Sequence, residues 1–302
     1  MNTDKTSFQF VCYGEILWDV LPDKKLPGGA PMNVAYHLQK MQKKTALISK
    51  MGNDDLGREL ISVLKQKNID TSFCVIDNKY ITGVVNAIAK EDNEMTYEIL
   101  HPVAWDFNEW SEAIEELTTH AEYFVFGSLI TRNEQSRNTL FKLLEKAKTK
   151  VLDINLRPPH FNREIIEQLL LKTDILKLNF SELKLVTDWF HKYDNEKNAI
   201  KFLKQRFNIS TVIVTKGEEG AVLDTNDKFY SHSGYNVNVA DTIGSGDSFL
   251  AGFLSKIADN SSPEKALEFA CALGALVASR TGGCPEYSIA EVGDLINKII
   301  VF

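Results

Sequence analysis

Short apolar runs rich in β-branched residues alternate with amphipathic helical patterns through the second half of the chain. The predicted strands are Phe124–Phe126, Val151–Ile154, Ile175–Leu178 and Thr211–Thr215. The predicted helices between and beside them are Glu134–Ala147, Glu164–Leu171, Phe180–Phe190 and Ala199–Arg206. Buried strands joined by helices are typical of a parallel sheet that is covered on both faces. The alternation therefore predicts an α/β fold with a doubly wound, mostly parallel sheet flanked by helices.

The pattern changes between residues 71 and 100, where no helix separates the strands. The predicted strands there are Phe73–Ile76, Gly83–Ala89 and Thr96–Leu100, with turns at residues 77–78 and 91–93. Strands without crossover connections predict an antiparallel piece. We expect it to be a flap that closes over the sheet edge and sheds water. A sheet extension or a dimer contact is the alternative, because the apolar residues Val84, Val85, Ala87 and Ile88 suit either a second copy or the chain's own site.

Composition excludes several classes of protein. The chain has 302 residues, a net charge of −7 and no Lys/Arg run, which argues against a nucleic-acid partner. No apolar run reaches the about 18 residues of a membrane span, and the N-terminus lacks a signal-peptide pattern. The four cysteines form no CxxC pair, which favours reduced thiols and a cytoplasmic protein.

A run of small residues, Gly244, Ser245 and Gly246, stands directly before a helical pattern. A glycine-rich turn that enters a helix leaves backbone N–H groups unpaired at the positive end of the helix dipole, which favours an anion. We call residues 244–247 the anion-binding loop. Asp247 is either an N-terminal cap or a general base that takes a proton from a group attacking a bound phosphate. The local sequence leaves both interpretations open.

A second glycine-rich turn, Gly28–Gly29, also leads into a helix. Glycines allow a ligand to approach the backbone closely. Asn33 in the first turn of that helix either caps it or hydrogen-bonds a hydroxyl-rich ligand. Asp19, shortly after the first strand, is either a turn residue or a ligand contact at the carboxyl edge of the sheet.

Polar residues follow three of the predicted parallel strands. Arg157 follows the predicted strand Val151–Ile154. Asn179 and Glu182 follow the strand Ile175–Leu178. Thr215, Gly217 and Gly220 lie at and after the end of the strand Thr211–Thr215. Arg157 suits phosphate charge or pairs with a surface acid. Asn179 and Glu182 suit a hydrated Mg²⁺ or form a capping box. Residues 215–220 suit a nucleotide or form an ordinary turn. The sequence has no P-loop, no GxGxxG after the first strand and no HExxH.

These motifs together resemble the ribokinase-like, or PfkB-type, carbohydrate kinase family. The segment DTIGSGD, residues 241–247, is similar to the family's DTxGAGD signature, with Ser245 in place of the usual Ala. The segment GGAPMNVA, residues 28–35, is similar to its N-terminal signature. The resemblance covers nearly the whole chain. It implies one ribokinase-like domain over residues 1–302, with a small β-sheet lid from about residues 14–27 and 71–100.

The resemblance also implies transfer of the γ-phosphoryl group of ATP to a primary hydroxyl. In the catalytic group, Asp247 is the base, Gly244, Ser245 and Gly246 form the anion hole, and Arg157 of the DxNxR run contacts phosphate or substrate. The implied sugar-binding residues are Asp19, Gly28, Gly29, Asn33 and Asn155. The implied nucleotide-binding residues are Asn179, Thr215, Gly217, Gly220, Gly244 and Gly246.

Two metal ions follow from the same resemblance. Asn179 and Glu182 match an NxxE motif that holds Mg²⁺ largely through water. Many relatives bind K⁺ near the anion hole, and the candidate ligands here are Asp241, Ile243 and Gly282. The loop at residues 284–286 is not a clear match to the family's K⁺ loop.

The segments GGAPMNVA, HPVAWD and FGSL are most similar to fructokinases, so D-fructose is the first expected substrate. Related kinases for ribose, 2-keto-3-deoxygluconate or a nucleoside are the alternatives. A non-catalytic, sugar-binding regulatory protein is an alternative of another class. The expected partners are a small sugar and ATP, with a homodimer through the lid left open.

Overall fold

The computed structural model describes residues 8–89 and 95–297, and nine of its strands form one large sheet. Side by side, they are β13 (Lys228–His232), β12 (Ala221–Thr225), β11 (Thr211–Thr215), β10 (Ile175–Asn179), β9 (Thr149–Asp153), β8 (Tyr123–Gly127), β1 (Phe10–Tyr13), β4 (Thr45–Gly52) and β5 (Cys74–Asp77). The seven strands from β11 to β5 are parallel, and β12 and β13 add an antiparallel hairpin at one edge.

Helices cover both faces of this sheet. One face packs against α1 (Ala30–Lys40), α2 (Asp55–Gln66), α8 (Ser245–Ala258), α9 (Pro263–Ala278) and α10 (Ile289–Asn297). The other packs against α3 (Glu112–His120), α4 (Glu134–Leu144), α5 (Arg163–Leu170), α6 (Phe180–Asp188) and α7 (Glu196–Phe207). The predicted doubly wound α/β architecture is confirmed. Within residues 8–89 and 95–297, no helix is both long enough and apolar enough to cross a bilayer.

Strand β1 shows why the apolar runs are continuous rather than alternating. Phe10 and Cys12 belong to the core on one face of the sheet, and Val11 and Tyr13 to the core on the other. All four are completely buried. Because successive strand side chains point to opposite faces, a sheet covered on both sides needs an apolar residue at every position.

A separate four-stranded sheet lies over the carboxyl edge of the large one, and we call it the small sheet. Its order is β3 (Lys25–Gly28), β2 (Leu17–Val20), β6 (Gly83–Ala89) and β7 (Met95–Ile99). The pairs β2/β3 and β6/β7 are antiparallel, whereas β2 and β6 run parallel. The two segments of the expected lid, about residues 14–27 and 71–100, therefore meet along the β2/β6 pair.

One part of the predicted flap is wrong. The strand expected at Phe73–Ile76 is β5, and it pairs in parallel with β4 in the large sheet, with Cys74 opposite Ser49. The reason is helix α2, which stands between the two strands and supplies the long crossover that a parallel pair needs. The turn expected at residues 91–93 lies outside the described residues.

Asp54 joins the large domain to the start of the small sheet. Its Oδ1 accepts the N–H of Gly57 at 2.7 Å and caps α2, and its Oδ2 accepts the N–H of Thr82 at 2.8 Å. The Thr82 hydroxyl donates to Oδ1 at 2.6 Å. Thr82 directly precedes β6, so this one carboxylate fixes the entry of β6 relative to α2.

We predict that Asp54→Ala lowers the free energy of unfolding by about 1–2 kcal/mol, because it removes a helix cap and leaves Thr82 without its acceptor. Urea denaturation followed by circular dichroism measures the change. The neighbouring Asp55 has a side chain that is 98% exposed, so Asp55→Ala is the matched control and should change stability by less than about 0.5 kcal/mol. Equal losses in the two variants would contradict this role of Asp54.

Candidate active site

A cavity of about 370 Å³ opens where the carboxyl edge of the large sheet faces the small sheet. The small sheet contributes Leu17, Asp19, Val85, Tyr97 and Ile99 to its lining. The predicted site residues that also line it are Gly29, Asn33, Asn155, Arg157, Ile243, Gly244, Gly246 and Asp247. Residues far apart in the sequence therefore meet in one cavity, at the edge where open α/β sheets bind their ligands.

The anion-binding loop has the geometry that its sequence predicts. Gly244 adopts a left-handed conformation with φ of 73° immediately before α8, and no side chain caps the helix. A Cβ at Gly244 would lie 2.4 Å from the Cα of Gly283, so only glycine fits. The backbone N–H groups of Gly246 and Asp247 have no acceptor among the described residues. They are free to bind an anion at the positive end of the helix.

The structure excludes the N-terminal cap interpretation of Asp247. Its carboxylate does not cap α8 but accepts a hydrogen bond from Asn33 Nδ2, with 2.8 Å between Nδ2 and Oδ2. Asn33 lies in the first turn of α1, so two helix N-termini meet here. The Sγ of Cys284 donates to Asn33 Oδ1 at 3.2 Å and fixes the amide. Asp247 is 8% exposed, which leaves a buried carboxylate at the end of the anion-binding loop.

Burial raises the pKa of the Asp247 carboxyl to about 6. The nearby Asp153 carboxylate adds to the rise. Lys177, the hydrogen bond from Asn33 and the Arg157 guanidinium act against it. A carboxyl whose pKa lies near neutrality is suited to accept a proton in one step and release it in another.

Asp19 and the glycine turn shape the side of the cavity next to the small sheet. A Cβ at Gly28 would lie 2.2 Å from Asp19 Oδ2, so Gly28 supports Asp19 from outside the cavity lining. Gly29 has a φ of 112°, and a Cβ there would lie 2.4 Å from the carbonyl oxygen of Glu15. Burial raises the pKa of Asp19 to about 6, with Arg157 opposing the rise.

Sequence reasoning missed Glu15, which lines the same cavity. Its Oε1 accepts the N–H of Ala30 at 3.1 Å, and its Oε2 has no hydrogen-bond partner among the described residues. Burial raises the pKa of this carboxyl to about 7. The available signal was its position directly after Gly14, just past the end of β1, where an acid can face a ligand at the carboxyl edge of the sheet.

Arg157 and Asn155 reach the cavity from the segment that follows β9. Asn155 adopts a left-handed conformation with φ of 37°, which is unusual for a residue with a side chain. The guanidinium of Arg157 forms no ion pair with any residue in the described ranges, so the surface acid weighed as its alternative partner is not found there. An unpaired guanidinium at a cavity wall suits an anionic ligand.

Asn179 and Glu182 form a capping box on α6 and do not line the cavity. Glu182 Oε2 accepts the N–H of Asn179 and Oε1 accepts the N–H of Leu156, both at 2.8 Å. Within the described chain, no group of three or more His, Cys, Asp or Glu side chains could hold a metal ion directly. A carboxylate already held by two amides fits Mg²⁺ only through intervening water, which this ion readily keeps.

Thr215 is the last residue of β11 and lies beside Asn179 in the sheet register, and Gly217 and Gly220 follow it. They lie outside the cavity lining but at the same sheet edge. Gly217 has a φ of 62° and open space where a Cβ would stand. At Gly220, a Cβ would lie 2.0 Å from the carbonyl oxygen of His232, so this glycine is required by packing. The open surface at Gly217 is the one of these features that suits an approaching ligand.

The three candidate K⁺ ligands lie in two loops, and the side chain of Asp241 hydrogen-bonds to both. Asp241 Oδ1 accepts the N–H of Ile243, and Oδ2 accepts the N–H of Gly282, both at 3.0 Å. Gly282 directly precedes Gly283, which contacts Gly244. Asp241 therefore holds both loops beside the start of α8.

Comparison with known proteins decides the family. A model described as the pfkB family carbohydrate kinase matches residues 6–289. The chain belongs to this family. It is accordingly an ATP-dependent sugar kinase, and the ribokinase-like resemblance drawn from its motifs is confirmed.

Named relatives agree with this assignment, and solved structures share the fold. The chain is 29% identical to probable fructokinase-7 of Arabidopsis thaliana, over 99% of this chain and 95% of that protein. The fold is similar to a fructokinase with bound ATP from Xylella fastidiosa, with a TM-score of 0.86, 22% identity and coverage of 96% and 98%. It is also similar to a fructokinase double mutant from Vibrio cholerae with bound fructose, ADP and potassium ion, with a TM-score of 0.83, 22% identity and the same coverage.

On the hypothesis that Asp247 is the general base, we predict that kcat/KM falls about tenfold per pH unit below about pH 6. A base must be ionised to accept a proton, and this carboxyl protonates as the pH falls through its pKa. Initial rates between about pH 5 and 8 give the profile. Glu15→Gln is the control, since Glu15 also titrates in this range, and the acid limb should persist in that variant. A profile that stays flat down to about pH 5 would rule out a base with this pKa.

Proposed function

We propose that this kinase phosphorylates the 6-hydroxyl of D-fructose. The observation that carries the proposal is the Asp247 carboxylate, which lies buried at the end of the anion-binding loop and accepts a hydrogen bond from Asn33 in the same cavity. Support for fructose comes from the fructokinase names of the similar plant proteins and from the fructose bound in the similar Vibrio cholerae enzyme. Asp19, Asn33 and Asn155 supply the oxygen and amide groups that hydrogen-bond sugar hydroxyls.

In this proposal Asp247 takes the proton of the attacking hydroxyl. The sugar oxygen then forms a bond to the γ-phosphorus, the bond from that phosphorus to the bridging oxygen breaks, and ADP leaves. The N–H groups of residues 246 and 247 and the Arg157 guanidinium stabilise the charge on the transferred group. The small sheet excludes water from the cavity, which strengthens these interactions.

Two ions belong to the proposal. Bound Mg²⁺ would neutralise charge on the phosphates, with Asn179 and Glu182 orienting its water ligands. The loops joined by Asp241 are where K⁺ would bind, near Ile243 and Gly282. Nucleotide contacts are proposed at Thr215, Gly217 and Gly220, with the packing requirement at Gly220 favouring a supporting role there.

We predict that fructose has the highest kcat/KM in a panel of fructose, ribose, 2-keto-3-deoxygluconate and a nucleoside, measured with ATP and Mg²⁺ in an ADP-coupled assay. Specificity for one sugar depends on a few hydroxyl contacts, so the panel tests what homology at this identity leaves open. Phosphorus NMR of the product should show the 6-phosphate. A higher kcat/KM for another sugar would move the assignment to a sister kinase, and sugar binding without turnover would support a regulatory protein.

We predict that Asp247→Ala lowers kcat by about 10²–10⁴ while sugar binding, measured by isothermal titration, changes by less than about tenfold. Glu264 is an exposed acid in the first turn of α9, so Glu264→Ala is the matched control and should leave kcat unchanged. Near-normal turnover by the Asp247 variant would refute its role as base.

The dimer through the small sheet and the cytoplasmic location stay predictions. Val85 lines the chain's own cavity and Val84 is 8% exposed, which supports a small sheet that acts as a lid on this cavity. The side chain of Ile88 lies outside the described residues. Light scattering tests the dimer. The four cysteines are free thiols, which supports a reducing compartment, although one similar plant protein is named as chloroplastic.

A further inference from the structure

Lys177 is a buried lysine at the floor of the cavity. It lies on β10 directly opposite Asp153 on β9 and is 7% exposed. Its Nζ donates to both oxygens of the Asp153 carboxylate, at 3.0 and 2.8 Å. A lysine ammonium group has three N–H donors, and the third finds no acceptor among the described residues. A buried donor without a partner is costly unless a ligand satisfies it.

The ammonium group lies against the anion-binding loop. A Cβ at Gly246 would stand 2.9 Å from Nζ, so the absence of a side chain at Gly246 leaves the ammonium group open to the loop. Lys177 and Arg157 are the cationic side chains in the cavity lining, which also contains the acids Glu15, Asp19 and Asp247. Of the two cations, Lys177 is the buried one, and its charge acts where solvent screens it least.

We propose that Lys177 is a further catalytic residue, whose free N–H contacts the phosphoryl group while that group is transferred at the anion-binding loop. The inference rests on the kinase reaction proposed above but not on which sugar is the acceptor. Lys177 keeps all its protons: the sugar proton goes to Asp247, the new bond joins the sugar oxygen to phosphorus, and ADP is the leaving group. Asp153 is a positioning residue that holds the ammonium group beside Gly246.

The alternative is that Lys177 merely neutralises the buried Asp153. Both explanations predict that Lys177→Met alone is damaging, because it leaves an unpaired buried carboxylate. They differ for the double variant Lys177→Met with Asp153→Asn, in which both charges are gone. If Lys177 only neutralises Asp153, the double variant regains activity. If Lys177 acts on the phosphoryl group, stability returns and activity does not.

The test compares kcat, KM for the sugar and the thermal midpoint of the single and double variants. We expect the double variant to recover most of the thermal stability lost by Lys177→Met, while its kcat stays about 10²–10³ below wild type and its sugar KM changes by less than about threefold. Lys150 pairs with Asp174 at the opposite end of the same two strands, so Lys150→Met is the matched control and should leave kcat unchanged. A double variant with kcat within about threefold of wild type would overturn the proposal.

A measurement of nucleotide binding tests the role of Lys177 without turnover and without a sugar acceptor. ADP with aluminium fluoride mimics the group in transfer, and ADP alone does not. Calorimetry gives the Kd of ADP with and without aluminium fluoride. We expect aluminium fluoride to lower this Kd for wild type by a factor about tenfold or more larger than for the double variant. ADP alone should bind both proteins equally. Equal tightening in both proteins would overturn the proposal. Rates use whichever sugar wild type phosphorylates fastest, so a wrong acceptor counts only against the fructose assignment.

Discussion

The hydrogen bond from Asn33 Nδ2 to Asp247 Oδ2 joins the two halves of the site across 214 positions of sequence. It forms because α1 and α8 pack side by side on one face of the large sheet and both begin at its carboxyl edge. The bond turns the carboxylate away from its own helix, so the first-turn N–H groups of α8 stay free for an anion. This one contact therefore directs the carboxylate of the proposed base away from the free N–H groups of the anion-binding loop, although Asp247 belongs to that loop.

The large sheet could be predicted from the sequence because a strand buried on both faces must be apolar at every position, as β1 is. The strand pairing of the small sheet is harder to predict. Its β2/β6 pair is parallel, and β3, α1, β4, α2 and β5 lie between these two strands in the chain. The local pattern of apolar residues predicts a strand at residues 83–89, but it does not show which strand pairs with it. The same limit explains the error at β5. Its sequence predicts a strand but does not show that this strand pairs with β4 in the large sheet rather than with the strands of the small sheet.

The motif residues of the candidate site could be predicted because several glycine-rich turns and strand-end polar residues occur together and resemble a known family, although each of them alone also suits a turn or a cap. Glu15 and Lys177 were missed for a different reason. Lys177 lies inside a predicted strand, where a lysine normally indicates an exposed position. Its burial becomes apparent only when the register places Asp153 opposite it and the start of α8 above it. The information that identifies it is the relation between three segments, which no single stretch of sequence contains.

The buried acids of the cavity work against the stability of the fold. The pKa of Asp247 is raised above that of an unfolded chain, so between about pH 4 and 6 the native state binds more protons than the unfolded state. The free energy of unfolding therefore falls as the pH rises through this window. The charge is tolerated because Lys177 and the Asn33 amide lie close by and lower the pKa. The groups that stabilise the ionised carboxylate are cationic and hydrogen-bond-donating, as the proposed phosphoryl transfer requires, so the proposed function accounts for a polar cluster that costs stability.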